Sequence, residues 1–243
     1  MPSCCVFLRR RHLLALPAAW TAASGAAVNE KTPPADTFVL YTFGDSILDC
    51  GRYNDHGVTP GQLLVRNDDR LFPEFLARDL QAHGPARLVH GAVDGATVGH
   101  LATQARGIGP PAKHAAALVT IGGNDLLQGL AADRGSGLRA FSAALGAFVA
   151  RLPIRPVLLG NVYDPTFGDD RRNFLGVDAA IARANHRRVN EAIAALAQRH
   201  GRLVDLHAHF LRGDPSWFTR TIEPSLLGAS EVRRAFAPAL GLA

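Results

Sequence analysis

The segment FVLYTFGDSILD, residues 38–49, joins an apolar run to a glycine-containing turn. The run Phe38 to Phe43 is short, rich in aromatic and β-branched residues, and typical of a buried strand. Similar short runs recur along the chain, separated by longer stretches whose apolar residues have helical spacing. This alternation is typical of stacked βαβ units. The sequence therefore predicts an α/β fold with a parallel sheet that helices cover on both faces.

The predicted elements fill the body of the chain without an internal repeat or a linker between folded halves, so one domain is expected. The predicted strands are Phe38 to Phe43, Arg87 to His90, Ala117 to Ile121, Pro156 to Val162 and Arg202 to Leu206. The predicted helices are Phe72 to His83, Leu138 to Leu152, Asp178 to His200 and Leu227 to Leu240.

The composition is that of a folded protein with a substantial core, since 47% of the 243 residues are hydrophobic and 19% are charged. The formal net charge is +5, but the cluster Arg9-Arg10-Arg11 supplies three of those charges. No basic run with interleaved aromatic residues follows, so nucleic acid is not an expected partner. No uninterrupted apolar run reaches the roughly 18 residues that a membrane span requires, so no stable membrane span is expected.

The first 27 residues have the order of an export signal. The basic cluster precedes an apolar stretch, Leu13 to Trp20, and small residues follow at Ala22 to Ala27. An alanine- and arginine-rich extension without a targeting role is the alternative. We expect residues 1–36 to be a leader or a disordered extension and residues 37–243 to form the folded domain. With a functional signal the protein would be periplasmic or secreted, and otherwise cytoplasmic.

Chemically useful residues follow each of the first three predicted strands. They lie in Gly44-Asp45-Ser46, in Asp94-Gly95-Ala96-Thr97 and in Gly122-Gly123-Asn124-Asp125. In an open parallel sheet, ligands bind at the carboxyl ends of the strands, where such loops gather. A serine hydroxyl there is a candidate nucleophile, a glycine lets an amide approach a ligand, and an asparagine amide can stabilise an oxyanion. Each segment alone is compatible with an ordinary turn, but together they indicate a site.

These three blocks, in this order, resemble those of the SGNH or GDSL hydrolase family, and the resemblance extends from Thr37 to about Leu240. It implies a flavodoxin-like three-layer α/β/α sandwich with a five-stranded parallel sheet, and a serine hydrolase that needs no metal or organic cofactor. Ser46 would attack an ester carbonyl. The backbone amides of Ser46 and Gly95 and the side chain of Asn124 would hold the oxyanion.

The last block departs from the family pattern. In that family an Asp-x-x-His-Pro segment before the final helix supplies the general base and its orienting carboxylate. Here the corresponding segment is Arg220-Thr221-Ile222-Glu223-Pro224. Arg220 occupies the position of the aspartate and Glu223 that of the histidine, so the base must be sought elsewhere or in Glu223 itself.

Three interpretations of this departure remain open. In the preferred one, His207 or His209 is the base and Asp205 or Glu223 orients it, because an extended segment would place Asp205, His207 and His209 on one face. In the second, Glu223 is the base, with a pKa that burial raises and Arg220 lowers. In the third, Glu223 and Arg220 form a structural ion pair.

The expected substrate is a small carboxylic ester or an acetylated sugar, because no long apolar lid of the kind suited to a lipase is evident. The alternative function is that of a non-catalytic descendant binding an acyl group, a carboxylate or a carbohydrate. The pair His207 and His209 also resembles the His-x-His metal site that opens amidohydrolase barrels. Too little chain follows His209 for such a barrel, so no metal is assigned.

Overall fold

The computed structural model describes residues 36–242, and within them the predicted parallel sheet is confirmed. Its strand order is β2-β1-β3-β4-β5, which is the flavodoxin-like order. All four neighbouring pairs are parallel. The strands of this sheet are β1 (Phe38–Gly44), β2 (Ala86–His90), β3 (Ala115–Thr120), β4 (Val157–Gly160) and β5 (Arg202–Val204). A separate antiparallel pair is formed by β6 (Phe218–Thr219) and β7 (Glu223–Pro224).

Helices cover both faces of the sheet. The α-helices of the described part are α1 (Pro60–Val65), α2 (Leu101–Gln104), α3 (Gly123–Leu127), α4 (Ser136–Arg151), α5 (Ala179–His200), α6 (Leu206–Phe210) and α7 (Leu226–Phe236). Short 3₁₀ turns lie at Gly51–Tyr53, Pro73–Phe75, Leu80–Ala82, Val98–His100, Leu130–Ala132, Asp170–Arg172, Pro215–Trp217 and Ala237–Leu240. None of the helices in residues 36–242 is long and apolar enough to cross a membrane.

Alternate residues of the central strands supply two apolar cores, one on each face of the sheet. On one face, Val39, Tyr41 and Phe43 of β1 pack in the cluster that includes the apolar sides of α4 and α5. On the other, Leu40 of β1 joins α1, α6 and α7 in a second cluster that contains the fully buried Phe236. Because helices cover both faces of the sheet, the loops at the carboxyl ends of the strands are the segments that can form a site.

The predicted helix Phe72 to His83 is wrong. Two separate 3₁₀ turns, Pro73–Phe75 and Leu80–Ala82, occupy this stretch. Ala77 adopts a positive φ of 58°, which a right-handed helix cannot contain, and Asp79 caps the second turn by accepting the N–H of Ala82. Of the apolar residues at helical spacing here, Phe72, Phe75 and Leu80 are buried, whereas Leu76 is exposed.

The predicted strand Arg202 to Leu206 is too long, and this changes how the two histidines after it are placed. The strand ends at Val204, and Asp205 becomes the N-cap of α6 by accepting the N–H of Ala208 at 2.9 Å. Residues two apart on an α-helix are separated by about 200° around its axis. The expectation that His207 and His209 share one face is therefore wrong.

Other boundaries also differ from the prediction, by one to four residues. The segment after β1 is a turn, in which the N–H groups of Leu48 and Asp49 both donate to the Asp45 carbonyl, so Ser46 does not lie at the start of an α-helix. The final helix, predicted to run from Leu227 to Leu240, ends at Phe236 and continues only as a 3₁₀ turn. The predicted leader lies outside the described residues, apart from Asp36 at its end.

Candidate active site

Ser46 lies on a tight turn at the carboxyl end of β1. The turn begins at Gly44, whose φ is +127°, and a Cβ at this position would lie 1.7 Å from the carbonyl oxygen of Thr120. Gln104 of α2 holds the same residue with two 2.7 Å hydrogen bonds, its Oε1 accepting from the Gly44 N–H and its Nε2 donating to the Gly44 carbonyl. Only glycine fits here, and the fixed backbone determines where the Ser46 hydroxyl lies.

The loop after β2 is attached directly to the Ser46 turn. The Val93 N–H donates to the Gly44 carbonyl at 2.9 Å, and the Asp94 N–H donates to Oδ2 of Asp49 at 2.9 Å. Gly95 follows with a φ of +79°, a conformation that glycine adopts without strain. In the described part of the chain, neither the Gly95 N–H nor the Ser46 N–H donates a hydrogen bond. Both amides are therefore available to an oxygen anion beside Ser46.

Asn124 joins these two loops from the first turn of α3. Its Nδ2 donates to the Ala96 carbonyl at 3.1 Å, which ties it to the residue after Gly95. A side-chain amide has two N–H donors, so the second remains available for a ligand. Ser46, Gly95 and Asn124 thus lie on three loops that contact one another at one edge of the sheet.

Glu223 reaches the serine from the hairpin of β6 and β7. The turn of this hairpin holds two consecutive non-glycine residues with positive φ, Arg220 at 46° and Thr221 at 75°. Such a conformation is strained for a β-branched residue, and strain of this kind is concentrated at functional sites. The Ser46 side chain lies close enough to Glu223 to lower the pKa of its carboxyl group, which places Glu223 near the serine hydroxyl.

The environment of Glu223 keeps its pKa above the ordinary value of a glutamate. Burial has the largest effect and raises the pKa, and the negative charge of Asp94 adds to it. The Ser46 side chain and the charges of Arg220 and Arg52 act in the opposite direction and lower the pKa, but the net shift of the pKa is upward. The Oε2 atom of Glu223 is buried without a hydrogen-bond partner. A carboxylate in this setting has a strong tendency to take up a proton.

Arg220 does not pair directly with Glu223. Among the described residues the two side chains form no ion pair within 4 Å, and the Arg220 guanidinium lies over the Tyr53 ring, 5.2 Å from its centroid. The Tyr53 hydroxyl donates in turn to Asp94 at 2.6 Å. The structure therefore gives no ion pair between Arg220 and Glu223.

His209 has a partner on another part of the surface. Its Nε2 lies 2.9 Å from Oε2 of Glu231 on α7, and its ring stacks on Trp217 with 5.5 Å between centroids. Burial raises the pKa of Glu231, but hydrogen bonds from His209 and Arg234 lower it below the ordinary value overall. His209 does not line the pocket beside Ser46.

His207 and Asp205 also have other neighbours. Asp205 caps α6 and accepts a 2.8 Å hydrogen bond from Nδ2 of Asn161. The His207 ring lies 5.1 Å from the ring of His186, and neither His207 nor Asp205 lines the pocket beside Ser46. The structure therefore brings Ser46, Gly95, Asn124 and Glu223 together, and it gives the residues of segment 205–209 different contacts.

Asp45, directly before the serine, is 1% exposed and carries an unusual carboxyl group. Its Oδ1 accepts from the Ile47 N–H at 3.2 Å and from the Thr120 hydroxyl at 3.1 Å. Burial outweighs these two hydrogen bonds and, with the charges of Asp125 and Glu223, raises the pKa of Asp45 to about 7. The Asp45 carboxyl group therefore orients the turn through these two hydrogen bonds, although its burial disfavours the ionised form.

We expect Asp45→Asn to stabilise the protein at alkaline pH and not at acid pH. The pKa of Asp45 is raised from 3.8 to about 7, so folding disfavours its ionised form. Well below pH 3.8 the carboxyl is protonated in both states and the variant gains nothing, and at pH 4 the gain is still small, whereas well above pH 7 the gain in unfolding free energy approaches an upper limit of about 4 kcal/mol. Denaturant unfolding at pH 4 and pH 8 measures this, with the exposed Asp55→Asn as control. An equal effect of Asp45→Asn at both pH values would contradict the assignment.

A pocket opens beside Ser46 and extends below the loop that follows β4. It has a volume of about 110 Å³, and Ser46, Asn124, Val162, Ile222 and the first turns of α5 contribute to its wall. His186 of α5 is among the lining residues, with its Nε2 2.9 Å from the Val162 carbonyl. The sequence analysis did not identify His186 as a site residue, because no motif surrounds it. Its position four residues after the lining Ala182, at helical spacing, is the only signal that the sequence holds.

Metal chemistry has no candidate site in the described residues. Within residues 36–242, no three side chains of His, Cys, Asp or Glu come together as a group that could hold a metal ion.

Comparisons with known proteins identify a family and a fold. A sequence model of the GDSL-like Lipase/Acylhydrolase family matches residues 42–228. No curated protein sequence matches the chain. The chain is similar to an alpha/beta hydrolase enzyme from the metagenome of Lake Arreo, Spain, at 25% identity and a TM-score of 0.59 over 85% of this chain and 95% of that one. It is also similar in fold to an acetylxylan esterase from Geobacillus stearothermophilus, at 20% identity and a TM-score of 0.61 over 84% and 94% of the two chains.

Proposed function

The chain belongs to the GDSL-like lipase/acylhydrolase family and is an ester-hydrolysing enzyme, and on this premise we propose that Ser46 is its nucleophile and Glu223 its general base. The observation that carries the proposal is the position of Glu223 on the hairpin of β6 and β7, where its carboxyl group lies close enough to Ser46 for the serine side chain to lower its pKa. Glu223 occupies the place of the usual histidine in the chain, and its raised pKa moves a carboxylate toward the range in which it can exchange protons near neutral pH.

In the first half-reaction, the Ser46 oxygen attacks the ester carbonyl while its proton passes to the Glu223 carboxylate. The carbonyl oxygen becomes an anion, and the amides of Ser46 and Gly95 and the free N–H of Asn124 stabilise it. When the tetrahedral intermediate collapses, the bond to the alcohol oxygen breaks and Glu223 returns the proton to that oxygen. The alcohol leaves, and the acyl group remains bound to Ser46.

In the second half-reaction, water takes the place of the alcohol. Glu223 accepts a proton from the water as its oxygen attacks the acyl carbonyl, and the same three donors stabilise the second oxyanion. Collapse of this intermediate breaks the bond to Ser46, whose oxygen recovers the proton from Glu223. The products are a carboxylic acid and the free enzyme.

His207 and His209 are the alternative bases, and the contacts of both argue against them. The His209 Nε2 is engaged by Glu231, so transferring a proton from Ser46 would require this ion pair to open. His207 lies against His186 rather than against the serine. We therefore assign the proton transfer to Glu223 and structural roles to His207, His209 and Asp205.

The proposed substrates are small carboxylic esters, with acetylated sugars included. The pocket beside Ser46 has a volume of only about 110 Å³, which suits a short acyl group. The similarity in fold to an acetylxylan esterase makes acetylated sugars worth testing. The leaving alcohol would face Glu223, whose pKa the nearby positive charges of Arg220 and Arg52 lower.

A fluorophosphonate tests whether Ser46 is activated, because it reacts with a serine whose hydroxyl is assisted by a base and whose oxyanion is stabilised. We expect intact-mass analysis to show one adduct, and peptide mapping to locate it at Ser46 in the segment 44–49. A folded protein that takes up no adduct, or that takes it up at another residue, would overturn the assignment of the nucleophile.

A further inference from the structure

The pocket beside Ser46 is a partly open recess, and the serine is the nucleophile among its lining residues. Ser46 and Asn124 line it together with the loop after β4 and the first turns of α5. Two large apolar side chains at this recess, Leu127 and Phe174, are 44% and 39% exposed. Exposed apolar groups gathered at a recess indicate a surface that an apolar ligand covers.

Three charged groups that line this pocket, Asp164, Asp170 and Arg183, are already paired with one another, and the buried Asp45 accepts from Ile47 and Thr120. Asp164 accepts from the Thr166 N–H at 2.9 Å, from the Thr166 hydroxyl at 2.6 Å and from the Gly168 N–H at 3.0 Å. Arg183 donates to Asp164 at 3.3 Å and to Asp170 through both its Nε and its Nη2. Although burial raises the pKa of Asp164, its hydrogen bonds hold the pKa below the ordinary value. These groups therefore close the pocket without offering a free charge to a ligand.

The neutral polar groups of the wall are paired as well. His186 uses Nε2 on the Val162 carbonyl, and burial lowers its pKa, which keeps the ring neutral. Asn173 donates to the Val177 carbonyl at 2.6 Å and accepts from the Leu175 N–H at 3.2 Å. What remains for a ligand is carbon surface. Its main contributors are Leu126, Leu127, Val162, Phe174, Leu175 and Ile222.

The position of the base decides which half of an ester enters this pocket. Glu223 must return a proton to the leaving alcohol, so the alcohol oxygen has to face Glu223. Ile222 lines the pocket, but Glu223 lies outside it. In the tetrahedral intermediate, the former carbonyl carbon is bonded to the Ser46 oxygen and to the alcohol oxygen, and the alcohol oxygen faces Glu223. The acyl chain on the same carbon then points away from Glu223 and into the pocket.

We propose that this pocket is the acyl-binding site and that it selects esters of short alkanoic acids longer than acetic acid, such as butanoate and hexanoate. This inference rests on the proposed function and names the acyl half of its substrates. An engineered apolar cavity of about 150 Å³ takes a benzene molecule. A cavity of about 110 Å³ therefore accommodates a hydrocarbon of a few carbons. An acetyl group leaves most of it empty, and a long chain exceeds it.

The first experiment compares p-nitrophenyl acetate, butanoate, hexanoate and decanoate as substrates of the wild-type protein. Each buried methylene group contributes about 0.8 kcal/mol to apolar binding, so kcat/KM should rise roughly tenfold from acetate to butanoate. It should then fall by at least about fivefold from hexanoate to decanoate, because overfilling a packed site is costly. A profile that is flat, or that is highest for acetate or decanoate, would overturn the inference.

Variants on α5 test whether the selectivity comes from this pocket. Ala182→Leu and Ala179→Leu each add carbon atoms to the wall, and each should lower the ratio of kcat/KM for hexanoate to that for acetate by about tenfold or more. Ala180→Leu is the matched control, because Ala180 is exposed on the same helix and does not line the pocket. An unchanged ratio in both wall variants would contradict the acyl assignment. Two wall positions are used so that one poorly folded variant does not decide the result.

A binding measurement separates this inference from the proposed mechanism. Hexanamide and acetamide are probes that lack an ester, and their binding to the Ser46→Ala variant can be followed by ligand-observed NMR. We expect hexanamide to bind at least tenfold more tightly than acetamide and to lose this advantage when Ala182→Leu is added. Binding of this kind without any ester hydrolysis by the wild type would support the pocket and overturn the proposed mechanism. Ester hydrolysis by the wild type without selective binding of hexanamide would support the proposed mechanism and overturn the assignment of the acyl pocket.

Discussion

Ser46→Ala is expected to reduce kcat for p-nitrophenyl ester hydrolysis by at least about ten-thousand-fold. The variant lacks the oxygen that forms the acyl-enzyme, while Gly95 and Asn124 keep their positions, so the residual rate comes from oxyanion stabilisation alone. The Gly44 turn is held by Gln104 and by packing against Thr120, neither of which involves the serine hydroxyl. The variant should therefore fold like the wild type, which its circular dichroism spectrum can verify.

Ser136→Ala is the matched control for this loss. Ser136 is exposed at the start of α4 and takes no part in the site, so its replacement should leave kcat within about twofold of the wild type. An activity of Ser46→Ala within tenfold of the wild type would show that another group carries out the attack.

Glu223→Gln is expected to reduce kcat by about a thousand-fold or more while leaving the fold intact. Glutamine has the shape of glutamate but cannot accept the serine proton, and general-base assistance contributes typically 10²–10⁴-fold to a rate. The loss in kcat is expected toward the upper end of this range, because the base and the nucleophile act together in the same step. By contrast, His207→Ala and His209→Ala should each retain kcat within a few-fold of the wild type, since neither histidine lines the pocket.

The control for the glutamate variant is Glu191→Gln on the exposed side of α5, which should leave kcat unchanged. A large loss in His209→Ala combined with a small one in Glu223→Gln would return the role of base to the histidine. Because the His209 ring also pairs with Glu231, the thermal midpoint of His209→Ala has to be measured beside its activity.

The parts of the fold that the sequence predicted are those set by local pattern. Short apolar runs such as Phe38 to Phe43 are buried on both faces, so their hydrophobicity alone indicates a parallel strand. The long amphipathic helices, Ser136–Arg151 and Ala179–His200, were evident for the same reason. The loop residues Ser46, Gly95 and Asn124 could be proposed together because parallel strands bring their carboxyl ends to one edge.

What the sequence left open depends on contacts between distant residues. Whether Asp205 continues a strand or caps a helix is decided by its hydrogen bonds to Ala208 and Asn161. The position of Glu223 depends on a three-residue turn, 220–222, in which Arg220 and Thr221 adopt positive φ although neither is the glycine that would indicate such a conformation in a sequence. His186 was overlooked because its role comes only from the packing of α5 over the loop after β4.

The most direct test of the account is the pH dependence of kcat/KM in the wild type, in Glu223→Gln and in His209→Ala. Since the pKa of Glu223 lies above the ordinary 4.5 and the base must be ionised, we predict that activity rises with pH through a single ionisation above that value. The rise should persist in His209→Ala and in Asp45→Asn, and it should be absent from the residual activity of Glu223→Gln. A rise that survives in Glu223→Gln and disappears in His209→Ala would contradict the assignment of Glu223 as the base.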